Sequence, residues 1–304
     1  MKSIRSAVPA ALDNAILHTV IYADVFDYPL HADEIHRYLT GVSASPESVA
    51  AGLECLVPTG LQRSGEAYFL PGRDEIVARR MRREQIALSL WPQAVRYGHI
   101  IAGLPFVRMV AVTGSLAMNN VEADADLDYL IVTAAGRLWL CRALILAIGR
   151  LASLRRARIC PNYLISECAL EFPEHTLYAA HELAQMVPLA GRQVYRRIRE
   201  SNPWVGHFLP NAGDAPNYTD ADELGGTAAK AKSVLERVLL SSVGTRLENW
   251  EMQRKIRKLR AENEANPEAS FSPDTCKGHS NRHGYRTERI LDEKLQQFSL
   301  GVGG

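Results

Sequence analysis

Two short apolar segments joined by a polar loop constrain the fold of this chain more than any other feature. Residues 106–112 are mostly apolar and lead into a Gly-Ser pair, and residues 127–132 are apolar except for Asp128, with Asp126 just before them. Runs of this length, rich in aliphatic and aromatic residues and bounded by turn-prone positions, are typical of strands. Two acids at the start of such a strand require a reason, because charged side chains are rarely buried without a partner. The region therefore predicts a strand–loop–strand unit with a polar site at one end.

A helix and a third strand are predicted directly after this unit. Residues 137–154 form an apolar stretch of helical length, and residues 159–165 have the composition of another strand. The resulting order is strand, loop, strand, helix, strand. It predicts a mixed sheet covered by helices, which is an α/β (α+β) fold.

The first 75 residues predict a separate module. Apolar residues recur with helical spacing over residues 12–25, and a second helix fits residues 31–39. A third helix starts after a capping serine, Ser45, and runs to about residue 56. Residues 61–70 have the pattern of a hairpin that turns at a Ser-Gly pair. Three helices followed by a hairpin is the element order of a winged helix.

The third helix of this module does not have the composition of a DNA-reading helix. Residues 46–56 contain Glu47 and Glu54 and neither Lys nor Arg. A helix that lies between phosphates normally carries positive charge. We therefore expect the module to contact a protein partner or to have a regulatory role rather than to bind DNA.

Changes in composition mark the other boundaries. An Arg-rich helix at residues 76–104 links the N-terminal module to the apolar segments, and polar, helix-breaking residues occupy 211–226. Residues 228–265 and 287–300 have helical spacing, with a polar loop expected at 266–281. The predicted organisation is a winged-helix-like domain (1–75), a linking helix (76–104), a mixed-sheet domain (105–212) and a helical C-terminal region (213–304).

The composition limits the class of protein. The formal net charge is +1 over 304 residues, so a site for a polyanion must be local. Five cysteines form no Cys-x-x-Cys pair, which favours a reducing compartment over a disulfide scaffold. The N-terminus has no continuous apolar signal region, and the most apolar segment, residues 138–151, is too short to span a bilayer. These features predict a soluble, cytoplasmic protein without membrane contacts.

The acid pair and the Gly-Ser pair together suggest a metal-assisted phosphate site. Residues i and i+2 of a strand point to the same side, so Asp126 and Asp128 direct both carboxylates at one point. Two adjacent carboxylates repel each other unless a cation lies between them, and oxygen ligands suit Mg²⁺ or Mn²⁺. Gly114 lets the backbone approach a phosphate closely, and Ser115 adds a hydroxyl donor. A helix that begins near Leu116 would direct its N-terminus at the anion.

This pattern resembles the signature of the DNA polymerase beta-like nucleotidyltransferase superfamily. That signature is an apolar residue, Gly, Gly or Ser, about ten spacer residues, and then acid-apolar-acid in a strand. The resemblance implies that Gly114 and Ser115 hold the triphosphate of an NTP, while Asp126 and Asp128 bind the metal ion. It further implies Mg²⁺-dependent transfer of a nucleoside monophosphate to a hydroxyl acceptor, which the sequence does not identify, with release of pyrophosphate. Over residues 12–210 the chain is also similar, more loosely, to an uncharacterised bacterial group that joins a winged helix to such a domain.

The chain departs from the superfamily pattern at one position. The superfamily usually has a third carboxylate on the next strand, where this chain has Asn162. An asparagine can ligate or orient a group, but it is not a base at neutral pH. Glu167, just after that strand, and Asp124, just before the acid pair, are the nearby acids that could replace it. The departure leaves open an alternative: a non-catalytic regulatory or interaction protein with a degenerate transferase domain and a partner- or DNA-binding winged helix.

Other candidate residues have simpler interpretations. Cys276, with histidines three and seven residues later, has a spacing that could hold zinc, but no fourth ligand lies nearby. Glu182 and Gln185 could line a cleft, although a solvated helix face is the simpler interpretation. His181 is interpreted as an ordinary helix residue and Trp204 as a core residue.

Overall fold

The computed structural model of the protein describes residues 4–57, 59–155, 157–213, 225–264, 266–278 and 283–301. Its strands are β1 (Gln62–Ser64), β2 (Ala67–Phe69), β3 (Val107–Val112), β4 (Leu127–Thr133), β5 (Ile159–Ser166), β6 (Val187–Ala190), β7 (Ser270–Phe271) and β8 (Thr275–Lys277). Its helices are α1 (Ile4–Asp24), α2 (Ala32–Arg37), α3 (Pro46–Leu56), α4 (Glu75–Ala102), α5 (Gly114–Ala117), α6 (Leu138–Ser153), α7 (Leu177–Gln185), α8 (Arg192–Ser201), α9 (Val205–Phe208), α10 (Gly226–Leu239), α11 (Ser242–Glu262) and α12 (His283–Gly301).

A mixed six-stranded sheet in the order β6-β3-β4-β5-β8-β7 forms the centre of the fold. β4 and β5 are parallel and are connected through α6, whereas the other neighbouring strands are antiparallel. Side chains alternate across β4, so Tyr129 and Ile131 pack with α4 and α6 on one face. Leu130 and Val132 pack with α7 on the other. Asp128 therefore lies on the α7 face of the sheet.

The N-terminal unit, defined as residues 4–70 without residue 58, has its own apolar core and also packs against the sheet domain. Its core joins α1, α2 and α3 to the β1–β2 hairpin. Tyr22 and Tyr38 are not part of that core and instead pack with residues of α7. The long helix α4 is fixed to this unit by Arg80, which forms an ion pair with Glu34 of α2 (2.6 Å) and is held within α4 by Glu84 (2.7 Å). The unit is consequently a wall of the larger structure.

The predicted α/β class with a mixed sheet is confirmed, as are most predicted helices and strands to within a few residues. The expected loop at 266–281 is wrong over its described part, because β7 and β8 extend the sheet there. The helix expected from Leu116 is only the single turn α5. Strand β6 is an addition that the sequence pattern does not predict. Most of the expected boundary at 211–226 lies outside the described residues.

The described residues give two further global findings. No helix among them is long and apolar enough to cross a membrane. All five cysteines are free thiols, and Cys141 and Cys276 are buried.

The C-terminal helices join the sheet domain through a buried carboxylate. Glu248 of α11 is 3% exposed and accepts hydrogen bonds from the backbone N–H groups of Trp139 (2.9 Å) and Leu140 (2.7 Å). These groups lie in the first turn of α6, where N–H groups have no partner within the helix. Burial raises the pKa of Glu248, and the two backbone donors act in the opposite direction. The contact both caps α6 and fixes α11 to it.

We expect Glu248→Ala to destabilise the protein by about 1–3 kcal/mol, since two buried N–H groups lose their acceptor. Glu248→Gln keeps one acceptor oxygen and should lose less. Glu293→Ala, which removes an exposed pair with Arg289, is the surface control and should change the free energy of unfolding by less than about 0.5 kcal/mol. Urea denaturation measures all three. Equal losses for Glu248→Ala and Glu293→Ala would contradict the capping role.

Candidate functional site

A cleft of about 1260 Å³ opens at the start of β4, between the sheet, the N-terminal unit and α7. Five of the six residues predicted for the site line this one cleft: Gly114, Ser115, Asp126, Asp128 and Asn162. They come from the ends of three adjacent strands, β3, β4 and β5. The folding of the sheet therefore brings together residues that are up to 48 positions apart in the sequence.

The turn after β3 lies directly against Asp128. The backbone N–H of Thr113 donates a hydrogen bond to the carbonyl oxygen of Asp128 (3.0 Å), which fixes the turn to β4. Gly114 has φ +66°, a left-handed conformation that favours glycine. A Cβ at this position would lie 2.9 Å from Oδ2 of Asp128, closer than side chains tolerate. The backbone conformation thus favours glycine here, and a side chain at this position would displace the Asp128 carboxylate.

Ser115 exposes its side chain to the cleft. It belongs to α5, a single turn, and its carbonyl oxygen accepts a hydrogen bond from the backbone N–H of Asn120 (2.9 Å). A helix of one turn has little macrodipole, so the expected anion-directed helix is not part of this site. What the turn contributes is a hydroxyl donor held on a short, fixed loop.

The two aspartates differ in their surroundings. Asp128 is partly buried, and its pKa is raised to about 6, first by burial and then by the Asp126 charge. The thiol of Cys160 donates a hydrogen bond to Asp128, which lowers its pKa somewhat and raises that of the thiol. Asp126 is more exposed and forms an ion pair with Arg158, whose Nε lies 2.7 Å from Oδ1. Asp128 thus lacks a cationic partner, whereas Asp126 has one.

The carboxylate pair fits a divalent cation with oxygen ligands. Mg²⁺ commonly takes one or two protein carboxylates and completes its shell with water and substrate phosphates. The lack of a Cβ at Gly114 leaves space next to Oδ2 of Asp128. Among the residues that the structure describes, no three His, Cys, Asp or Glu side chains form a metal-holding cluster, so the protein would supply two ligands. His279, from the zinc spacing that includes Cys276, lies outside the described residues.

The register of β5 shows what stands in the place of a third strand carboxylate. Cys160 is paired with Asp128, and the pairing then shifts by one residue before Leu130 meets Tyr163. This irregularity lies at Pro161 and Asn162, and Asn162 also lines the cleft. The prediction that Asn162 lies near the acid pair is therefore consistent with the structure. Its neighbour Cys160 is the residue in contact with Asp128.

The two acids that could replace the missing carboxylate are not placed to do so. Glu167 follows the far end of β5, where its backbone N–H donates to the carbonyl oxygen of Thr133 (2.8 Å). Thr133 lies five residues beyond Asp128 along β4, which separates that end from Asp128 by about 17 Å at about 3.3 Å per residue. Asp124 is exposed and is not among the residues that line the cleft. Glu167 is therefore wrong as a site residue, because it lies at the opposite end of the sheet.

Helix α7 contributes a third carboxylate to the cleft. Tyr178, His181, Glu182 and Gln185 line it, and these residues share one helix face. The solvated face expected for Glu182 is wrong, because α7 packs on the sheet above β4. The pKa of Glu182 is raised to about 7, first by burial and then by the charge of Asp128, with Lys277 acting in the opposite direction. In the sequence, these four polar residues recur at positions i, i+3, i+4 and i+7 of the helix, and this spacing is the pattern from which the cleft wall could have been predicted.

His181 joins the N-terminal unit to the cleft. It is 5% exposed and stacks on Tyr22, with ring centroids 4.0 Å apart and planes 12° from parallel. Its Nδ1 lies 3.1 Å from the side-chain amide of Gln185. Burial lowers the pKa of His181 to about 3, so the imidazole is neutral at physiological pH. It is therefore a polar, uncharged part of the cleft wall.

Comparisons with protein-family models, with curated proteins and with solved structures find no match to this chain. The function is therefore argued from the geometry of the cleft.

We expect Asp128→Asn to stabilise the protein at pH 7.5 in the presence of EDTA. The folded-state pKa of Asp128 is about 6, above the ordinary value of 3.8, so folding favours the neutral carboxyl. The neutral carboxyl of Asp128 therefore contributes its full stabilisation below about pH 4, and this stabilisation is lost as the pH rises through 6. The variant should gain about 1–3 kcal/mol at pH 7.5 and almost nothing at pH 4. Urea denaturation at both pH values tests this, with Asp124→Asn as the exposed control; equal stabilities at pH 7.5 would refute it.

We expect Gly114→Ala to damage the site more than the fold. Gly136 provides a matched control, because it has φ +64° and an added Cβ there would meet nothing within 4 Å, whereas one at Gly114 would meet Asp128. Each alanine should cost about 1–2 kcal/mol of stability from the left-handed backbone. If the triphosphate site expected from the sequence is present, stabilisation by Mg²⁺ and NTP should disappear only in Gly114→Ala. A normal ligand response in that variant would show that the close approach is unimportant.

Proposed function

We propose that this protein is a nucleotidyltransferase that moves a nucleoside monophosphate from an NTP to a hydroxyl acceptor and releases pyrophosphate, with Mg²⁺ or Mn²⁺ as the cofactor. The observation that carries the proposal is the Gly114 turn packed against Asp128, with Asp126 beside it in one cleft. That arrangement combines a close backbone approach with two carboxylates on a sheet face. It supports the proposal together with the nucleotidyltransferase resemblance in the sequence.

The residues of the cleft have separate roles in this reaction. The backbone at Gly114 and the hydroxyl of Ser115 hold β- and γ-phosphate oxygens. Asp126 and Asp128 hold the divalent cation, which supplies charge neutralisation at the phosphates when bound. Arg158 pairs with Asp126 at the edge of the cleft and is exposed, so it would hold this carboxylate in place for the cation. Most of the catalysis would come from positioning and electrostatic stabilisation.

The N-terminal unit, in this proposal, is a winged-helix-like module whose task is to close the cleft. The outward face of α3 exposes Glu47 and Glu54 and no Lys or Arg, which disfavours contact with a phosphate backbone. Its aromatic residues Tyr22 and Tyr38 instead lie against α7 and line the cleft. The module remains available for a protein partner on its exposed face.

A second candidate is a regulatory protein with a degenerate transferase domain. The observation in its favour is that β5 presents Cys160 and Asn162 beside Asp128 instead of a carboxylate. Such a protein would bind a partner through the N-terminal unit without turning over an NTP. Ligand binding and turnover separate the two candidates.

The first test is thermal unfolding with each of the four NTPs, with and without Mg²⁺. Ligand at about 100 times its Kd stabilises the native state by about 2.7 kcal/mol, which raises Tm by several degrees. We expect such a shift for at least one NTP, only with the metal ion present.

The controls decide what the shift means. It should vanish in the Asp126→Asn/Asp128→Asn double variant and persist in Asp124→Asn, which changes an exposed acid outside the cleft. The absence of a shift with every NTP would reject the transferase and favour the regulatory candidate. A shift that survives the double variant would place the NTP elsewhere.

A further inference from the structure

We propose that Glu182 of α7 is the general base that accepts the proton of the acceptor hydroxyl, in place of a carboxylate on β5. This inference rests on the proposed nucleotidyl transfer. Its support comes from the position of α7, from the partners of the cleft carboxylates and from the cleft that Glu182 shares with the acid pair.

The packing of α7 directs Glu182 at the acid pair. Ala180, Leu183 and Ala184 form a core with Leu130 and Val132 of β4. Side chains two residues apart on a strand share a face, so Asp128 lies on the side of the sheet that α7 covers. Glu182 and Asp128 line the same cleft, and the charge of Asp128 acts on Glu182.

Glu182 is the unpaired carboxylate of this cleft wall. No hydrogen bond or ion pair holds it among the described residues. Its nearest candidates are engaged elsewhere, because Lys277 forms an ion pair with Glu174 (2.9 Å) and Gln185 contacts His181. By contrast, Asp126 forms an ion pair with Arg158, and Asp128 accepts a hydrogen bond from the Cys160 thiol. A base needs a free oxygen, and Glu182 has one.

Glu182 also stands apart from the metal-binding pair. Among the described residues, Glu182 forms no three-ligand metal group with Asp126 and Asp128, although all three line the same cleft. An acceptor hydroxyl placed in that cleft would lie between the base and the phosphate held at the aspartates. The raised pKa of Glu182 supports this role, because general bases work best when their pKa lies near the operating pH. Asp128, Lys277, Tyr22 and Tyr178 are the titratable groups that face it from β4, β8, α1 and α7.

The proposed step couples a proton transfer to the transfer of the nucleotidyl group. The acceptor O–H gives its proton to a carboxylate oxygen of Glu182, and the oxygen's electron pair forms the bond to the α-phosphorus. The bond from the α-phosphorus to the bridging oxygen of the β-phosphate breaks, and pyrophosphate leaves with that electron pair. The proton on Glu182 then passes to solvent, which restores the base.

The test compares NTP binding with turnover in Glu182→Gln, using the full chain, Mg²⁺ and the NTP that gives the largest thermal shift. Glycerol and water serve as hydroxyl acceptors, and the release of pyrophosphate is measured. We expect Glu182→Gln to lose about 10²–10⁴-fold in turnover while its thermal shift with Mg²⁺ and NTP is retained. Glu182→Asp, which keeps the carboxylate, should recover part of the rate. Glu200→Gln makes the same chemical change on the exposed face of α8 and should turn over like the wild type.

Three results would overturn the assignment. The first is turnover of Glu182→Gln within threefold of the wild type, and the second is loss of the thermal shift of this variant with Mg²⁺ and NTP. The third is a wild type that binds NTP yet releases no pyrophosphate with either acceptor. A wild type without any NTP-dependent shift would instead reject the proposed function itself. The two failures are therefore distinguishable.

Discussion

The contact between the Gly114 turn and the Asp128 carboxylate is the constraint on which the rest of the site depends. β3 and β4 are antiparallel neighbours, so the turn that leaves β3 passes the start of β4. The positive φ of Gly114 lets the chain reverse there without a Cβ that would meet Asp128 at 2.9 Å. Burial raises the pKa of Asp128, so the fold favours a neutral carboxyl in the absence of a cation. The geometry that makes the site therefore makes it less stable when no cation is bound.

The parts of this site that the sequence predicts are those set by neighbouring residues. The strands around Gly114, Ser115, Asp126 and Asp128 follow from local composition and from the period of two along a strand. β7 and β8 could not be predicted, because segments of two and three residues show no periodicity. They are strands only because β8 pairs with β5 and β7 pairs with β8. The interpretation of Glu182 failed for a related reason. Its helix was predicted, but the face that a helix turns to a distant strand depends on tertiary packing.

The N-terminal unit is coupled to the cleft through aromatic packing rather than through charge. Tyr22 stacks on the neutral ring of His181, and Tyr38 lies at 5.3 Å from the same ring. Stacked rings of this kind contribute beyond the area they bury. A partner that displaced the N-terminal unit would expose this wall and open the cleft to water. The same contact that completes the cleft thus gives a regulatory partner a physical route to it, which is why the catalytic and regulatory interpretations share their structural basis.

The charge balance of the cleft explains why a cation belongs to the proposed chemistry. Four carboxylates are among the described residues that line it: Asp126, Asp128, Glu182 and Glu262. Arg83 is the single Lys or Arg among the described lining residues, and it forms an ion pair with Glu122 at 2.8 Å. His181 is neutral, so it does not offset the carboxylates. A triphosphate would enter this acidic surface against electrostatic repulsion unless it arrived with a divalent cation that the aspartates bind. Metal ion and nucleotide should therefore bind together, each weakly without the other.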